Sequence, residues 1–218
     1  MAFVPIRTNS KRIKNKNFQF LGDKKLLTYI LETLANTDLI DLVYVFCSDE
    51  KVKNYCTGKV QFLKRDTALD GDEVLGIDIY QSFVSKIDSD IYILAHATSP
   101  FTKAESLETC IQKIKFQGYD SAFSALEHRT FAWYKGEPLN YAPENVIRTQ
   151  DIEPVYIETS GFYMFKKQTL IRDGRRIGYH PYIHIVDNIE GIDIDYPEDL
   201  KFAEKVISIT SAARPLRN

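Results

Sequence analysis

A strongly basic segment close to the start of the chain has residue types suited to binding an anion. Residues 7–17, RTNSKRIKNKN, hold five basic side chains and no acidic one, with Ser, Thr and Asn as hydrogen-bonding groups. A nucleoside triphosphate carries roughly four negative charges, and each cation in contact with it contributes up to ~4 kcal/mol at an intermediate dielectric. The segment predicts a polyphosphate site, and the alternative is a solvated basic loop. It matches neither G-x-x-x-x-G-K-[ST] nor G-x-G-x-x-G, so neither of these phosphate loops is expected.

Two aspartates late in the chain are spaced to share a cation. Asp193 and Asp195 lie two residues apart in the sequence GIDIDYPED. On an extended strand such residues point to the same side, about 6 to 7 Å apart. Mg²⁺ is typically held by one or two carboxylates together with substrate phosphates. The pair therefore predicts a Mg²⁺ site, with the alternative that Asp195 caps a helix beginning near Pro197 while Asp193 faces water.

The elements that must position these residues alternate between strand and helix. Strands are predicted at residues 3–6, 42–46, 61–63, 91–95, 121–125, 161–165 and 183–186, with a short strand end at 192–195. Helices are predicted at residues 26–34, from 50 to Gly58, at 72–87, at 102–117 with Thr102 and Glu105 as a capping box, and at 197–206. This alternation favours an α/β fold with a mainly parallel twisted sheet flanked by helices. Because the carboxyl ends of parallel strands share one edge, the segments after Ile6, Phe46, Ala95 and Ile194 should meet there.

One domain is predicted over residues 1–207. Residues 127–158 interrupt the alternation, because Gly136, Pro138, Pro143 and Pro154 are interspersed with aromatic and charged residues. We interpret this stretch as an excursion from the sheet. Residues 208–218 have little apolar surface to bury, which predicts a frayed tail.

Composition argues against several classes of protein. With 28 basic and 30 acidic side chains the net charge is −2, which favours neither a nucleic-acid nor a membrane partner. No apolar run approaches the ~18 residues of a membrane span. The first residues lack a signal-peptide pattern, so a cytoplasmic location is expected. Cys47, Cys56 and Cys110 form no C-x-x-C pair and are expected to be reduced. RNA binding through residues 11–16 is an alternative that the negative net charge disfavours.

The order and spacing of several short motifs identify a family. These motifs are RTNSKR with KN at 7–17, Ser48-Asp49, Thr98-Ser99-Pro100, RTQD at 148–151, and IDID followed by PEDL at 192–200. Together they resemble the motifs of bacterial N-acylneuraminate cytidylyltransferases, the CMP-sialic acid synthetases, over about residues 3–207. The segment 10–17 also resembles that of pseudaminate cytidylyltransferases. The resemblance implies a nucleotide-diphospho-sugar transferase-like, Rossmann-like fold and transfer of CMP from CTP to the anomeric hydroxyl of a sialic-acid-like 2-keto sugar acid, with release of pyrophosphate.

The resemblance also implies roles for individual residues. Residues that match the CTP-phosphate positions are Arg7, Ser10, Lys11 and Lys16, with Asn17 close to the nucleotide. Ser48 and Asp49 match a motif beside the cytosine pocket, and Arg65 matches a nucleotide-contacting arginine. Asp193 and Asp195 match the Mg²⁺-binding aspartates, and Asp195 is expected to be catalytic together with Arg7, Lys11 and Lys16. Residues 127–158 match an arm that forms a homodimer and lends Arg148 or Gln150 to the partner's site.

The chain departs from the sialic acid synthetases on the side that recognises the sugar. Those enzymes commonly have Gln-Pro-Thr-Ser-Pro-Leu-Arg where this chain has HATSPFT at 96–102, and Asn-Gly-Ala where it has Thr159-Ser160-Gly161. Thr98, Ser99 and Thr159 are nevertheless expected at the substrate. His96 is either a sugar ligand or acid/base group or a hydrogen-bonded structural histidine. The departures suggest a different 2-keto sugar acid. The alternatives are a non-sialic acceptor, such as a 3-deoxy-manno-octulosonate-type sugar, and a non-catalytic nucleotide-sugar-binding protein.

Overall fold

A seven-stranded sheet forms the centre of the protein. The structure is a computed structural model that describes residues 1–8 and 10–212, with side chains as far as Thr210. Its strands are β1 (Ala2–Pro5), β2 (Phe20–Leu21), β3 (Lys24–Lys25), β4 (Val43–Cys47), β5 (Val60–Lys64), β6 (Ile91–Ala95), β7 (Ser121–His128), β8 (Trp133–Tyr134), β9 (Glu137–Pro138), β10 (Val155–Lys166) and β11 (Pro181–Ile185). Its helices are α1 (Leu26–Asn36), α2 (Gly76–Val84), α3 (Ala104–Phe116), α4 (Lys167–Ile171) and α5 (Pro197–Ala212). Short 3₁₀ helices span Lys16–Phe18, Glu50–Tyr55, Thr67–Asp70 and Thr149–Asp151.

The sheet is parallel apart from one strand, so the predicted α/β class is confirmed. Its order is β11-β7-β10-β6-β1-β4-β5, and only β10 runs antiparallel to its neighbours β6 and β7. The register of β10 against β7 shifts between Glu158 and Tyr163. Ser160 lies inside this irregularity with a left-handed backbone, φ 59°. Such a bulge bends a strand and redirects the groups beside it.

Helices cover both faces of the sheet, as the uninterrupted apolar sequence of β6 predicts. On one face, Val4 and Val45 pack among the apolar residues of α1 and α3. On the other face, Phe3 and Phe46 pack against Phe83 of α2, with the rings of Phe3 and Phe83 stacked 4.2 Å apart. Alternate residues of one strand thus serve opposite faces. The sheet is therefore a rigid platform whose edges carry the loops.

A smaller core fixes the basic segment in place. Ile13 from this segment packs with Leu21, Leu26, Ile194 and Ala203. These residues come from β2, the start of α1, the aspartate segment and α5. The apolar Ile13 therefore fastens the middle of a charged loop beside the two aspartates.

Four sequence-based boundaries are wrong, each for a local reason. The capping box is absent, because the Thr102 hydroxyl donates to the Ser99 carbonyl and α3 begins after Lys103. Residues 192–195 form no strand; the Ile194 amide bonds instead to the Thr98 carbonyl, 2.8 Å away. The helix predicted at 72–87 spans only Gly76–Val84, since the Asp78 carboxylate accepts from the Leu75 amide and starts it there. Residues 208–212 continue α5 rather than fray, and 213–218 lie outside the described residues.

Residues 127–158 form an arm that grows out of the sheet. β7 and β10 stay paired beyond the sheet, from Ala125↔Glu158 to His128↔Val155. Past this ladder, β8 and β9 form a hairpin. Within residues 1–8 and 10–212, every helix falls short of the length and apolarity needed to cross a bilayer.

Candidate active site

A cleft of about 390 Å³ opens at the carboxyl ends of the central parallel strands. This is the edge where ligands bind in open α/β sheets. Arg7 and the loop that follows β1 form one wall, and the residues that follow β6 form the floor. Seven residues predicted from the sequence meet here: Arg7, Lys16, Asn17, His96, Thr98, Asp193 and Asp195.

Lys16 is the cation that the cleft holds most firmly. Asn15 takes a left-handed backbone, φ 53°, and the chain then turns through a short 3₁₀ helix that directs Lys16 inward. Its Nζ donates to the Ile194 carbonyl and to Oδ1 of Asp195, both at 2.8 Å. Only 14% of its side chain is exposed. A largely buried ammonium held by two acceptors is a fixed positive charge at the carboxyl-end edge of the sheet.

Asp195 is an ion-paired carboxylate. Its Oδ2 accepts from Arg12 at 2.6 Å while its Oδ1 accepts from Lys16. Partial burial opposes ionisation, but the Lys16 hydrogen bond and the charges of Lys16 and Arg12 outweigh it and lower the pKa of Asp195. Asp195 does not cap α5 with its own side chain. Asp199 does so, because its carboxylate accepts from the amides of Asp195 and Tyr196.

Asp193 lies deeper and has the opposite electrostatics. Burial raises the pKa of Asp193, although a hydrogen bond from Thr98 and the charge of Lys16 act against this. Its Oδ1 is buried, and the described residues offer it no hydrogen-bond partner. An orphaned carboxylate oxygen beside a second carboxylate is a donor set that fits Mg²⁺, which needs only one or two carboxylates when substrate phosphates complete its shell. No group of three or more metal-ligating side chains occurs in the described part of the chain, so these two aspartates alone would supply the protein ligands.

The other residues predicted to bind phosphate line either the cleft or a depression next to it. Arg7 donates to the Val74 carbonyl at 3.0 Å, and the Asn17 amide donates to the Arg7 carbonyl at 3.1 Å. Ser10 and Lys11 line an adjoining depression of about 430 Å³ that shares Arg7 with the cleft. Lys11 is 77% exposed there and pairs with Asp72 at 2.8 Å. The basic segment therefore follows a path from the cleft outward to solvent.

The residues predicted around the base lie outside the lining of the cleft. Arg65 does not line the cleft, because its side chain has no exposed surface and donates to Asp70 at 2.6 Å and to the Phe46 carbonyl at 3.3 Å. Arg65 is thus set back from the cleft in this conformation, and its contact with the nucleotide stays a prediction. Burial opposes ionisation of the Asp70 carboxylate, but the nearby Ser48 hydroxyl and Arg65 lower the pKa of Asp70. Asp49 starts the 3₁₀ helix Glu50–Tyr55 by accepting from the Lys51 amide, and it faces a separate depression.

On the opposite side of the cleft, the bulge in β10 orients His96. Nδ1 of His96 bonds to the Ser160 carbonyl, and the backbone of His96 is paired with Gly161. Burial lowers the pKa of His96, and the nearby Arg176 and Lys16 add to this, while the hydrogen bond to Ser160 opposes it. Ser160 adopts φ 59°, a left-handed conformation that glycine takes at lower cost.

Two other residues predicted at the sugar side are internal. Ser99 is 1% exposed and Thr159 is 6% exposed, and neither lines the cleft. Thr159 shares a hydrogen bond with Ser124 at 2.7 Å. Both side chains are set back from the cleft lining in this conformation, and their contact with substrate stays a prediction.

Comparison with known proteins identifies the family. Residues 1–213 match a family model described as cytidylyltransferase. The chain belongs to this family. Among curated relatives it is 26% identical to the N-acylneuraminate cytidylyltransferase of Oncorhynchus mykiss over 90% of its length, and 25% identical to the pseudaminic acid cytidylyltransferase of Campylobacter jejuni, with 94% of each chain covered. It spans about half the length of the first of these, 48%, and nearly the whole of the second.

Solved structures of the same architecture match this chain over nearly its whole length. A CMP:2-keto-3-deoxy-manno-octonic acid synthetase complexed with CTP superposes with a TM-score of 0.70 at 17% identity, covering 96% of this chain and 98% of the other. The 4-diphosphocytidyl-2C-methyl-D-erythritol synthase of Anaerococcus prevotii also gives 0.70, at 12% identity and 95% coverage of each chain. At these identities the likeness establishes the architecture alone.

Arg148 and Gln150 do not line the cleft of their own chain. Both are exposed at the far part of the arm, and Arg148 pairs with Asp151 at 2.7 Å. The same arm exposes several large apolar side chains, namely Trp133 58%, Tyr134 62%, Leu139 54%, Val146 62% and Ile147 40%.

Sequence reasoning missed three residues of the site. Arg12 was only one of several basic residues, and its pairing with Asp195 depends on a contact 183 positions away. Tyr80 lines the cleft from α2 although its periodicity marks it as core. Arg176 lines it from the loop between α4 and β11. The only signal for Arg176 was a cluster of arginines, RDGRR, which is equally typical of a solvated loop.

Proposed function

We propose that this protein transfers CMP from CTP to the anomeric hydroxyl of a sialic-acid-like 2-keto sugar acid and releases pyrophosphate. The observation that carries the proposal is a single cleft in which Arg7 and Lys16 face Asp193 and Asp195. Membership of the cytidylyltransferase family and the names of its N-acylneuraminate and pseudaminic acid relatives support this choice of substrates.

The chemistry requires position and charge rather than a covalent intermediate. The anomeric hydroxyl oxygen attacks the α-phosphorus of CTP and its proton passes to water; a new P–O bond forms, the bond from the α-phosphorus to the bridging oxygen breaks, and pyrophosphate leaves with that electron pair. Lys16 and Arg7 stabilise the negative charge that develops on the phosphate oxygens and the leaving group. Mg²⁺, held by Asp193 and Asp195 in this proposal, supplies further charge neutralisation. Triphosphate oxygens compete with Asp195 for Lys16 and Arg12. Nucleotide binding therefore shifts these two side chains from the Asp195 carboxylate to the phosphates.

The nucleotide and the sugar occupy opposite halves of the cleft in this proposal. Phosphates lie along the basic segment from Lys16 toward Ser10 and Lys11. The base lies near Ser48 and Asp70, on the β4 side. The sugar acid lies over His96 and Thr98, where the sequence departs from that of the sialic acid synthetases. We therefore propose an acceptor other than N-acetylneuraminate.

Homodimerisation through residues 127–158 is part of the proposal. Its support is the number of large apolar side chains that this one arm exposes, because exposed aromatic and aliphatic residues gathered on one segment are typical of an interface. Arg148 and Gln150 on the same arm would then reach a partner's cleft. A cytoplasmic location is also proposed, because nucleoside triphosphates are made and held there.

Pyrophosphate release tests the proposal directly. The purified protein is incubated with CTP, Mg²⁺ and a panel of nonulosonic acids, together with 3-deoxy-manno-octulosonate. We expect release with CTP and a nonulosonic acid, and none after chelation of the metal. Turnover only with 3-deoxy-manno-octulosonate would favour the non-sialic alternative, and CTP binding without release would favour a nucleotide-sugar-binding protein. Fastest turnover with N-acetylneuraminate would contradict the altered acceptor.

A further inference from the structure

Arg176 is a cation in the cleft that the nucleotide site does not use. It lies in the loop between α4 and β11 and lines the cleft together with His96 and Ser160. Its guanidinium carbon lies 3.8 Å from the centroid of the Tyr163 ring. Arginine stacked on an aromatic face in this way keeps its planar N–H donors directed to the sides, where they can bind a planar anion.

The carboxylate of Glu158 fixes the position of this guanidinium. Glu158 accepts from an Arg176 nitrogen at 3.3 Å and from the Tyr163 hydroxyl at 2.6 Å. Glu158, Tyr163 and Arg176 therefore form one connected group in which Tyr163 supports the guanidinium from below. An arginine has five N–H donors. Within the described residues, Glu158 is the hydrogen-bond acceptor recorded for Arg176, and 37% of the Arg176 side chain stays open to the cleft and solvent.

The other two cations of the cleft are on the opposite side. Arg7 is tied to the Val74 carbonyl and Lys16 to Asp195, both on the side of the basic segment. Arg176 belongs instead to the His96 side, because the His96 ring meets the edge of the same Tyr163 ring at 6.2 Å. The cleft thus has two separate positive regions, with the β6 loop between them. A substrate pair with two separate anionic groups matches this distribution of charge.

We propose that Arg176 binds the carboxylate of the acceptor sugar acid and so selects acidic over uncharged acceptors. This inference rests on the proposed function. In a 2-keto sugar acid the carboxylate is attached to the anomeric carbon, which also bears the attacking hydroxyl. A guanidinium that binds both carboxylate oxygens therefore fixes the nucleophile close to the α-phosphorus. Glu158 acts as a positioning residue, because it orients Arg176 without touching the substrate.

Steady-state kinetics of three variants test the inference. Arg176→Met removes the charge, Arg176→Lys keeps it without the planar fork, and Arg175→Met is the matched control. Arg175 is the neighbouring arginine, but it stacks over Tyr179 and does not line the cleft. We expect Arg176→Met to raise the KM for the sugar acid roughly 10- to 100-fold, as loss of a charged hydrogen bond does. The Kd for CTP, measured by calorimetry, should change less than about twofold, because a phosphate contact is not lost.

Further outcomes separate this inference from the proposed function. Arg176→Lys should fall between the wild type and Arg176→Met, and Arg175→Met should match the wild type. An acceptor whose carboxylate is replaced by a carboxamide should be discriminated against by the wild type and not by Arg176→Met. An unchanged acceptor KM in a folded Arg176→Met protein would overturn the inference alone. Absence of turnover by the wild type with every acid would overturn the proposed function and, with it, the role of Arg176.

Discussion

The carbonyl oxygen of Ser160 accepts a hydrogen bond from Nδ1 of His96, and Ser160 makes it available by adopting a left-handed backbone. A carbonyl can only accept, so Nδ1 carries the proton. In the neutral ring Nε2 is then an acceptor, which suits a sugar hydroxyl or a proton in transit. The bulge in β10 thus determines the tautomer of a side chain on β6's own loop.

The lowered pKa of His96 predicts how stability depends on pH. The unfolded chain binds the proton more readily than the folded one, so as pH falls from about 6.5 toward the folded pKa the unfolding free energy decreases. His96→Gln removes this contribution and should flatten the pH dependence in that window. Urea unfolding at pH 5 to 8 measures it. His128→Gln, on the exposed end of β7, is the control and should keep the wild-type slope. A wild-type slope in His96→Gln would contradict the prediction.

Lys16 and Lys11 should contribute unequally to CTP binding. Lys16 is 14% exposed and ordered by two acceptors, whereas Lys11 is 77% exposed and paired with an exposed aspartate. Lys16→Met should raise the KM for CTP roughly 10- to 100-fold. Lys11→Met should raise it only about two- to fivefold, as expected for a solvated ion. Equal effects would show that the segment rearranges on binding so that both lysines reach the phosphates.

Asp195→Ala should abolish turnover while the protein stays folded. It removes a carboxylate that faces two cations in the cleft and is expected to hold the metal. The loss of stability should be only about 1 to 2 kcal/mol, because Arg12 is already half exposed. Pyrophosphate release and thermal unfolding are the measurements. Asp88→Ala is the control, since Asp88 pairs with Lys167 next to the opposite end of β6. Near-normal activity of Asp195→Ala would remove the metal assignment.

The sequence predicts an element well where one physical signal dominates. The apolar run at residues 91–95 is found as β6 with the same bounds, because a strand buried on both faces has no room for a polar residue. Likewise, the shared edge at the carboxyl ends of parallel strands brings the residues that follow Ile6 and Ala95 into one cleft. These inferences use contacts that the topology itself guarantees.

The sequence alone does not place a side chain for which several partners compete. An arginine is a residue type typical of ligand sites, yet Arg65 lies in the interior because it pairs with Asp70 in the next turn. The sequence around Arg176 is typical of a solvated loop, yet contacts with Tyr163 and Glu158 hold Arg176 in the cleft. Thr102 has the spacing of a cap, yet its hydroxyl reaches the Ser99 carbonyl first. In each case, several acceptors are compatible with the local sequence, and only the fold selects one.

The apolar arm predicts a dimer whose sites are shared. Ile147→Glu places a charge in the expected interface and should convert the dimer to a monomer, as measured by light scattering after size exclusion. Mixing two impaired variants tests whether each cleft uses residues of both subunits. If Arg148 acts on the partner's cleft, Arg148→Ala and Asp195→Ala proteins, each impaired, should regain activity when their subunits exchange, because one site of the mixed dimer is intact. Activity no greater than the sum of the two would exclude a contribution from the partner.

Asp70 should matter more for stability than its partial exposure suggests. It is the carboxylate that pairs with Arg65, whose side chain is completely buried and whose Nε has no partner among the described residues. Asp70→Asn leaves that guanidinium without a counter-charge and should lower the unfolding free energy by about 2 to 3 kcal/mol, less than for a fully buried pair because Asp70 itself is 37% exposed. Lys64→Ala breaks an exposed pair with Glu50 and should cost less than about 0.5 kcal/mol. Both values come from urea unfolding.

The double variant Arg65→Met/Asp70→Asn should be more stable than Asp70→Asn alone, because the unpaired buried charge is gone. A double variant that is less stable would show that Arg65 acts mainly through packing against Phe46.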